Sequence, residues 1–279
     1  MEIVHEIVLF ATDSQQRALG ALGIEYSVVE SDPDTGENEV HFDLADADPR
    51  WKPVRKQLML WRELRAVVRS RTEFTKEEVD ATRWFAFRCW QNGYPEPDSD
   101  SFGYIQATYD ISNQCDKCKI GMTQNAPFQM KREPKWGRRS IMQFFWVYEE
   151  VFVKPDLWAS VFAPAGVKCR PVNNTKGLEL STVVQLFIEE EVPVLTKGLG
   201  YHRCRKCGGM RYEPLACGPF PVLQREPKLP VVRTNVYFGD GQPERQVLMR
   251  YDIKRAIEAG GFRGAMFDPA LPYDGRRYP

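Results

Sequence analysis

Two short stretches decide how this chain folds: Cys115-Asp116-Lys117-Cys118 and Cys204-Arg205-Lys206-Cys207. Each is a CxxC turn with a lysine before its second cysteine, and a Gly-Met pair follows soon after each turn. A CxxC turn lets two thiolates bind one ion while backbone N–H groups donate to the sulfurs. The two turns together supply the four tetrahedral ligands of a structural zinc ion. The sequence therefore predicts one Zn2+ site whose ligands are Cys115, Cys118, Cys204 and Cys207.

The surroundings of both turns fit a four-thiolate site, which carries a net charge of minus two. Basic residues that can offset this charge flank the turns, namely Lys117, Lys119, Arg203, Arg205 and Lys206. Residues 119–203 separate the two turns, whereas a compact zinc ribbon has about 15–20 residues there. We therefore expect a zinc-ribbon-like clip with a long insertion, in which the metal joins two distant segments.

Two alternatives to a metal are a redox dithiol and two unrelated turns. A thioredoxin-like CxxC normally occurs once, between a strand and a helix, and so explains poorly two turns with matched lysines. A catalytic metal is disfavoured because four thiolates leave no open position for a substrate. Cys217 and His202 lie near the second turn, and either could replace one of the four ligands. Cys89 and Cys169 lie in apolar, strand-like runs where cysteine is usually a small buried hydrophobe.

Composition indicates an ordinary globular protein. The chain has 279 residues, of which 43% are hydrophobic and 27% are charged, and its net charge is zero. A neutral chain is not typical of a general nucleic-acid or anionic-membrane binder. Seven cysteines, an odd number clustered in CxxC pairs, favour a reducing compartment with metal binding over a disulfide framework. The N-terminus has no signal-peptide pattern and no long apolar run occurs, so we expect a cytoplasmic location.

Hydrophobic patterning divides the chain into three parts. The first is an N-terminal α+β domain over 1–91, with strands over 3–10, 24–30 and 84–90, a helix over 12–22 that Thr12 or Asp13 caps, and an amphipathic helix over 53–69. A Thr75/Glu78 capping box opens a further short helix. Residues 92–103, rich in proline, glycine and acids, predict a linker or long loop. Residues 104–279 form the double-CxxC zinc-binding domain.

Strands dominate the predicted second domain. A strand over 104–112 leads into the first CxxC turn, and further strands are expected over 141–148, 151–153, 231–238 and 263–267. Residues 168–172 and 182–189 predict an antiparallel hairpin, and helices are expected from Pro155 and from Asp252. The fold class expected is α+β, with mostly antiparallel sheets and short helices.

One basic segment is a candidate binding surface, made of Lys131, Arg132, Lys135, Trp136, Arg138 and Arg139. Cations around an exposed tryptophan can bind phosphates and stack on bases, can meet an acidic protein surface, or can simply be solvated. The acidic runs Glu149-Glu150 and Glu189-Glu190-Glu191 predict solvated edges or a contact with a basic partner.

With the second CxxCG, the terminal helix and the closing Gly264-x-x-Phe267-x-Pro269 in view, residues 114–269 resemble the double-CXXCG motif family. Lys119 stands where that family has glycine, and the first hundred residues have no counterpart in it. Its members include bacterial immunity proteins that neutralise a toxin. The resemblance implies that Cys115, Cys118, Cys204 and Cys207 are metal ligands, and it implies no catalytic residue.

The leading functional hypothesis is a cytosolic binding protein with a structural zinc, of the immunity or antitoxin type, that occludes a toxin-like protein partner. The alternative is a zinc-ribbon-containing nucleic-acid-binding protein that uses the basic segment. An enzyme is least expected, because the sequence has no P-loop, no GxSxG, no GxGxxG opening a helix, and only three histidines. No membrane partner is expected.

Overall fold

The computed structural model describes residues 1–32, 35–61, 66–97, 102–215, 217–239 and 241–272. Within these ranges the chain is mixed α+β with strands predominating, as the sequence predicts. The described residues divide into an N-terminal unit, 1–80 with 215 and 217–218, and a C-terminal unit, 81–214 and 219–272.

The described part of the N-terminal unit holds a four-stranded antiparallel sheet with the order β2-β3-β1-β4. Alternate side chains of the central strand, such as Ile7 and Leu9, are fully buried against Trp51 and Val54 of the second helix. The elements are β1 (Glu2–Ala11), α1 (Asp13–Ala21), β2 (Ser27–Ser31), β3 (Asn38–Ala45), α2 (Trp51–Leu60), β4 (Ala66–Glu73) and α3 (Lys76–Ala81).

Two of the helix starts predicted in this unit, those at Thr12 and Thr75, are confirmed. Thr12 caps α1 through a capping box with Gln15, and the backbone N–H of Thr12 donates to the Gln15 side chain at 2.8 Å. At α3 the N–H of Thr75 donates to the Glu78 carboxylate at 2.9 Å, and the Glu78 N–H donates to the Thr75 hydroxyl at 3.2 Å. These caps form from residues three apart, so local sequence suffices to specify them.

The helix predicted over 53–69 is wrong in its second half. The helix α2 ends at Leu60, and Val67 and Val68 lie in β4, opposite Val8 and Ile7 of β1. β-Branched residues such as these valines favour strands. The backbone hydrogen bonds that β1 makes with β4 exist only in the folded sheet, so the helical spacing in the sequence did not reveal this strand. Leu64, which carried part of the helical spacing, lies outside the described residues.

The described residues of the C-terminal unit form four sheets with the orders β8-β11-β12-β10-β9, β13-β17-β19-β5-β20-β16, β14-β15-β18 and β6-β7. Most neighbouring strands are antiparallel. The strands are β5 (Trp84–Cys89), β6 (Tyr109–Asp110), β7 (Thr123–Gln124), β8 (Gln129–Met130), β9 (Ile141–Phe144), β10 (Val147–Val153), β11 (Lys168–Asn174), β12 (Glu179–Phe187), β13 (Glu191–Val192), β14 (Tyr201–Arg203), β15 (Met210–Tyr212), β16 (Phe220–Pro221), β17 (Val231–Thr234), β18 (Tyr237–Phe238), β19 (Val247–Arg250) and β20 (Ala265–Leu271). The helices are α4 (Gly103–Thr108), α5 (Pro155–Leu157), which continues as a π-helical turn (Trp158–Phe162), and α6 (Tyr251–Ala259).

The boundary between the units falls after Asp80, whereas the sequence placed it at 91/92. The reason is β5, which lies inside the six-stranded sheet between β19 and β20 and buries Phe85 and Phe87 completely. The described part of the predicted linker is also bound to the C-terminal unit, since the N–H of Glu96 donates to Gln129 at 2.8 Å. Residues 98–101 of that linker lie outside the described residues.

Three predicted strands of this unit differ from the structure. The strand expected over 141–148 is divided between β9 and β10, because residues 145–146 form the turn that joins them. Residues 104–108 belong to α4, where Tyr104 and Thr108 are buried one helical turn apart, and only β6 remains of the strand expected before the first CxxC turn. The strand expected over 231–238 is divided between β17 and β18, which lie in different sheets. Short apolar runs do not distinguish helix from strand by periodicity alone.

The acidic pair Glu149-Glu150 is buried in β10, so the expectation of a solvated edge was wrong. The Nε of Arg245 donates to Glu149 at 2.8 Å, and the Nη1 of Arg233 donates to Glu150 at 3.2 Å. Although burial raises the pKa of the Glu149 carboxyl, the hydrogen bonds and charge of Arg245, together with the charge of Arg233, lower that pKa on balance. Two arginines far away in the sequence, one of them in β17, thus make the buried carboxylates tolerable.

Candidate metal centre

The first CxxC turn lies in the loop that joins β6 to β7, and its backbone is closed by two hydrogen bonds. The N–H of Cys115 donates to the Ile120 carbonyl at 2.8 Å, and the N–H of Lys119 donates to the Cys115 carbonyl at 2.8 Å. Lys119 adopts a left-handed conformation with φ of 62°. This closure keeps the two cysteines of the turn on one side of the loop.

The second turn, at the tip of the β14–β15 hairpin, repeats this hydrogen-bond pattern residue for residue. The N–H of Cys204 donates to the Gly209 carbonyl at 2.8 Å, and the N–H of Gly208 donates to the Cys204 carbonyl at 2.9 Å. Gly208, with φ of 77°, occupies the position that Lys119 has in the first turn. The two turns are therefore equivalent in backbone structure as well as in sequence.

The structure brings the four predicted cysteines together. All four ligand atoms lie within 4.8 Å of one another, with Sγ–Sγ distances of 3.8 Å for Cys115 and Cys204 and 3.4 Å for Cys118 and Cys207. A disulfide would require about 2.05 Å, and none forms among them. Four sulfurs at a Zn–S distance of about 2.3 Å in a tetrahedron are about 3.8 Å apart. The cluster has the size that a single metal ion requires.

The surroundings of the sulfurs act on their protonation in opposite directions. Backbone N–H groups of Cys118 and Lys117 lower the pKa of the Cys115 thiol to about 6, and those of Cys207 and Lys206 lower the pKa of Cys204. Burial raises the pKa of the Cys118 thiol to about 12. Metal binding requires thiolates, so a cation at the centre of the cluster would supply the charge that keeps Cys118 deprotonated.

Two glycines let the turns approach each other and close. A Cβ on Gly209 would lie 3.2 Å from the Cys207 sulfur and 3.3 Å from the side chain of Ile120 in the other turn. A Cβ on Gly121, which has φ of 110°, would overlap the Asn113 carbonyl oxygen. The glycine of each Gly-Met pair is therefore needed because a side chain at that position would crowd the neighbouring atoms.

An exposed ion pair at 2.9 Å joins Lys206 of the second turn to Asp116 of the first. In addition, the Nε of Arg203 donates to the Gly208 carbonyl at 3.4 Å. Part of the basic charge predicted around the thiolates is thus engaged in holding the turns. Because both groups of the ion pair are exposed to solvent and salt, it adds little to the connection between the turns.

The residues considered as alternative ligands are not part of the cluster. Within the described ranges, the Cys, His, Asp and Glu side chains that lie close enough together to hold an ion are the four cysteines. His202 is exposed on β14, and Cys217 belongs to the N-terminal unit. Cys89 is buried in β5, as predicted, and Cys169 lies in β11.

The basic segment does not have the predicted arrangement. Trp136 is only 8% exposed and lies in an apolar cluster with Phe144 and Phe152, so the expectation of an exposed tryptophan was wrong. Its Nε1 donates to the Thr182 carbonyl at 3.0 Å, which satisfies the indole in the interior. Side chains of the five basic residues, Lys131, Arg132, Lys135, Arg138 and Arg139, are exposed.

Sequence reasoning missed a group of exposed aromatic residues in the same unit. Tyr94, Phe102 and Trp146 are each more than two-fifths exposed, and their rings contact one another. The sequence contains no signal for them, because Phe145 and Trp146 fall inside the strand expected over 141–148, where aromatic residues are usual.

Comparison of the chain with protein-family models gives no match, and comparison with curated protein sequences gives none either. The resemblance to the double-CXXCG motif family therefore stays a prediction. Among the described residues, every helix is too short or too polar to cross a membrane.

Proposed function

We propose that the four cysteines bind one structural Zn2+ ion and form a zinc-ribbon-like clip. The equivalent turns, each beside a pair of antiparallel strands, and the fit of the sulfur separations to a Zn–S tetrahedron support zinc. Four thiolates would fill the coordination sphere, which disfavours a catalytic role for the ion. Binding energies of structural zinc are about 10–16 kcal/mol, comparable with the whole stability of a domain.

Metal analysis tests this proposal. The purified protein should contain one equivalent of zinc, and strong chelation should unfold the C-terminal unit, seen as a loss of cooperative melting. Cys115→Ser should lose the metal, while His202→Ala and Cys217→Ser should keep it. A metal content far below one equivalent with unchanged melting after chelation, or loss of metal only in the two control variants, would contradict the assignment.

For the biological role, we propose a binding protein of the immunity type, which acts by occluding a toxin-like protein and has no turnover of its own. The observation that carries the proposal is the pair of matched CxxC turns that meet in one closed cluster, since these turns carry the resemblance to the double-CXXCG motif family. We expect such a protein to act in the cytoplasm.

Co-expression tests this role. Each protein encoded by a reading frame that flanks this chain's own gene would be produced in a bacterial host with and without the chain. We expect one of them to arrest growth alone, and we expect the arrest to be relieved by the chain through direct binding. Growth arrest that co-expression does not relieve, or relief without binding, would reject occlusion as the mechanism.

Nucleic-acid binding remains the second candidate, because the five basic side chains of residues 131–139 are exposed. If phosphates bind there, affinity for generic single- or double-stranded DNA or RNA should fall linearly with salt on a log–log scale, with a slope set by the number of phosphates contacted. Binding weaker than about 100 μM at physiological salt would be no tighter than ordinary non-specific binding and would remove this candidate.

A further inference from the structure

The C-terminal unit displays a compact group of aromatic side chains on its surface, which we call the aromatic patch: Tyr94, Phe102, Phe145 and Trp146. The ring of Tyr94 lies 4.6 Å from that of Trp146 and 5.0 Å from that of Phe145, and Phe102 lies 5.0 Å from Trp146. Tyr94, Phe102 and Trp146 remain 41%, 43% and 42% exposed. Large rings that contact one another and still face solvent are typical of interaction sites.

The backbone holds two of these rings in an unfavourable conformation. Phe145 and Trp146 form the two-residue connection between β9 and β10, and Trp146 has φ of 67°. Phe102, the residue before α4, has φ of 53°. Left-handed backbone disfavours every residue with a Cβ, and a tight turn would be more stable with glycine or asparagine. Strain of this kind is concentrated at functional sites. A binding role for the exposed rings therefore explains the strained backbone better than a role in stabilising the fold.

A basic cleft of about 220 Å³ adjoins the aromatic patch through Tyr94, which lines it. The cleft is also lined by Lys131, Arg132 and Lys135, all of them exposed. Lys131 is 3.6 Å from the buried carboxylate of Glu96. Arg132 and Lys135 form no ion pair with any residue in the described ranges, so their charges are available to a partner.

The chemistry of the patch favours a protein over a nucleic acid. Stacking of bases requires open ring faces, but these rings are tilted by 31–56° and cover one another. The cleft also contains two carboxylates, Glu96 and Glu133, and Glu133 accepts hydrogen bonds from Ser181 and Thr182. An apolar centre of Trp, Tyr and Phe beside a rim of exposed cations matches the pattern of protein interfaces, where aromatic anchors supply affinity and charges steer association.

We infer that the aromatic patch and the adjoining cations are the surface that docks the partner protein, and that the partner presents an apolar pocket with an acidic edge. This inference rests on the proposed immunity-type function. Trp146 is the anchor, because it is central in the patch and contacts both Tyr94 and Phe102. Arg132 and Lys135 guide the acidic edge toward it.

The probes for the test are the proteins encoded by the two reading frames that flank this chain's own gene, each titrated against the full zinc-loaded chain. Trp146→Ala should raise Kd at least about 30-fold, the change that corresponds to about 2 kcal/mol. Trp146→Asn, which tolerates the left-handed backbone, should weaken binding similarly without lowering the melting temperature. Leu178→Ala is the matched control, since Leu178 is a large apolar residue, 63% exposed, beside the β11–β12 turn.

The charges have their own control. Replacing Arg132 and Lys135 together by alanine should slow association by roughly tenfold at low salt and reduce its salt dependence, with a smaller effect on dissociation. The same replacement of two exposed lysines elsewhere in the unit, Lys176 and Lys197, should leave the association rate unchanged.

The outcomes separate this inference from the function on which it rests. If a flanking-frame protein binds and Trp146→Ala behaves like Leu178→Ala, the docking surface is rejected while the proposed function stands. If neither protein binds and neither affects growth, both are rejected. If neither protein binds but a fluorescein-labelled 15-residue oligothymidylate does, and Trp146→Ala weakens it, the patch is a nucleic-acid site and the protein-docking inference is overturned.

Discussion

Replacing Lys119 by glycine should stabilise the protein, although Lys119 lies beside a candidate metal ligand. Lys119 and Gly208 occupy the same position in the two equivalent turns, with φ of 62° and 77°. Only the second turn has the residue that this conformation favours. The pair therefore offers an internal comparison in which the same backbone geometry is tested with and without a side chain.

The magnitude follows from the backbone. A residue with a Cβ in the left-handed region destabilises the folded state by about 1–2 kcal/mol. Glycine removes this strain, but its greater freedom in the unfolded chain offsets about 0.5–1 kcal/mol of the gain. Lys119→Gly should therefore gain about 0.5–1 kcal/mol, or about 1–4 °C in a domain of this size. Gly208→Ala should lose a similar amount, because a Cβ there would meet nothing closer than the Arg203 guanidinium at 3.7 Å.

The assay is urea unfolding of the zinc-loaded protein, followed by tryptophan fluorescence, with zinc content measured for each variant. Lys119→Ala is the matched control, because it removes the same positive charge but keeps a Cβ. Its stability should stay near that of the unmodified chain or fall slightly through the lost charge near the thiolates. The difference between the glycine and alanine variants isolates the contribution of the backbone.

The reasoning would be refuted if Lys119→Gly were no more stable than Lys119→Ala, or if Gly208→Ala lost no stability. Either result would mean that the two turns do not share one strained backbone position. A loss of zinc in Lys119→Gly alone would point instead to a direct role of the lysine charge at the metal centre.

Two further predictions concern buried groups. Trp136→Ala should cost about 3–5 kcal/mol in the free energy of unfolding, because it opens a cavity. Trp136→Phe keeps most of the packing and should cost about 1 kcal/mol, because it loses the hydrogen bond to Thr182. Unchanged midpoints of urea unfolding in these variants would contradict the buried position of Trp136. Glu149→Gln should cost about 3–5 kcal/mol at neutral pH, because it removes the buried carboxylate that pairs with Arg245 and leaves that arginine only its ion pair with the exposed Glu191. Because the pKa of Glu149 is lowered in the folded state, its contribution to stability is complete above the ordinary pKa of 4.5 and is lost as the pH falls through the folded-state pKa. On acidification, Glu149→Gln should therefore lose less stability than the unmodified chain. Equal losses of stability in acid titrations of the two proteins would refute the assignment.

The sequence alone determined those features that depend on neighbouring residues. The CxxC turns predicted that the four cysteines form one cluster of candidate ligands, since a turn of four residues is enough to place two thiolates and the N–H groups that face them. The capping residues Thr12 and Thr75 predicted two helix starts for the same reason. In each case the contacts that decide the structure are made within a few positions of the chain.

Tertiary structure decided which segments meet and which surfaces are covered. Cys115 and Cys204 are 89 positions apart, and only the folded C-terminal unit brings their sulfurs to 3.8 Å. Trp136 and Glu149 looked exposed in the sequence, yet both are buried, and residues distant in the sequence, Thr182 and Arg245, supply their hydrogen bonds. Conversely, Trp146 is a residue expected in a core, and the tight turn between β9 and β10 leaves it at the surface. Burial and strand pairing are made by residues far apart in sequence, so neither periodicity nor local charge could decide these positions.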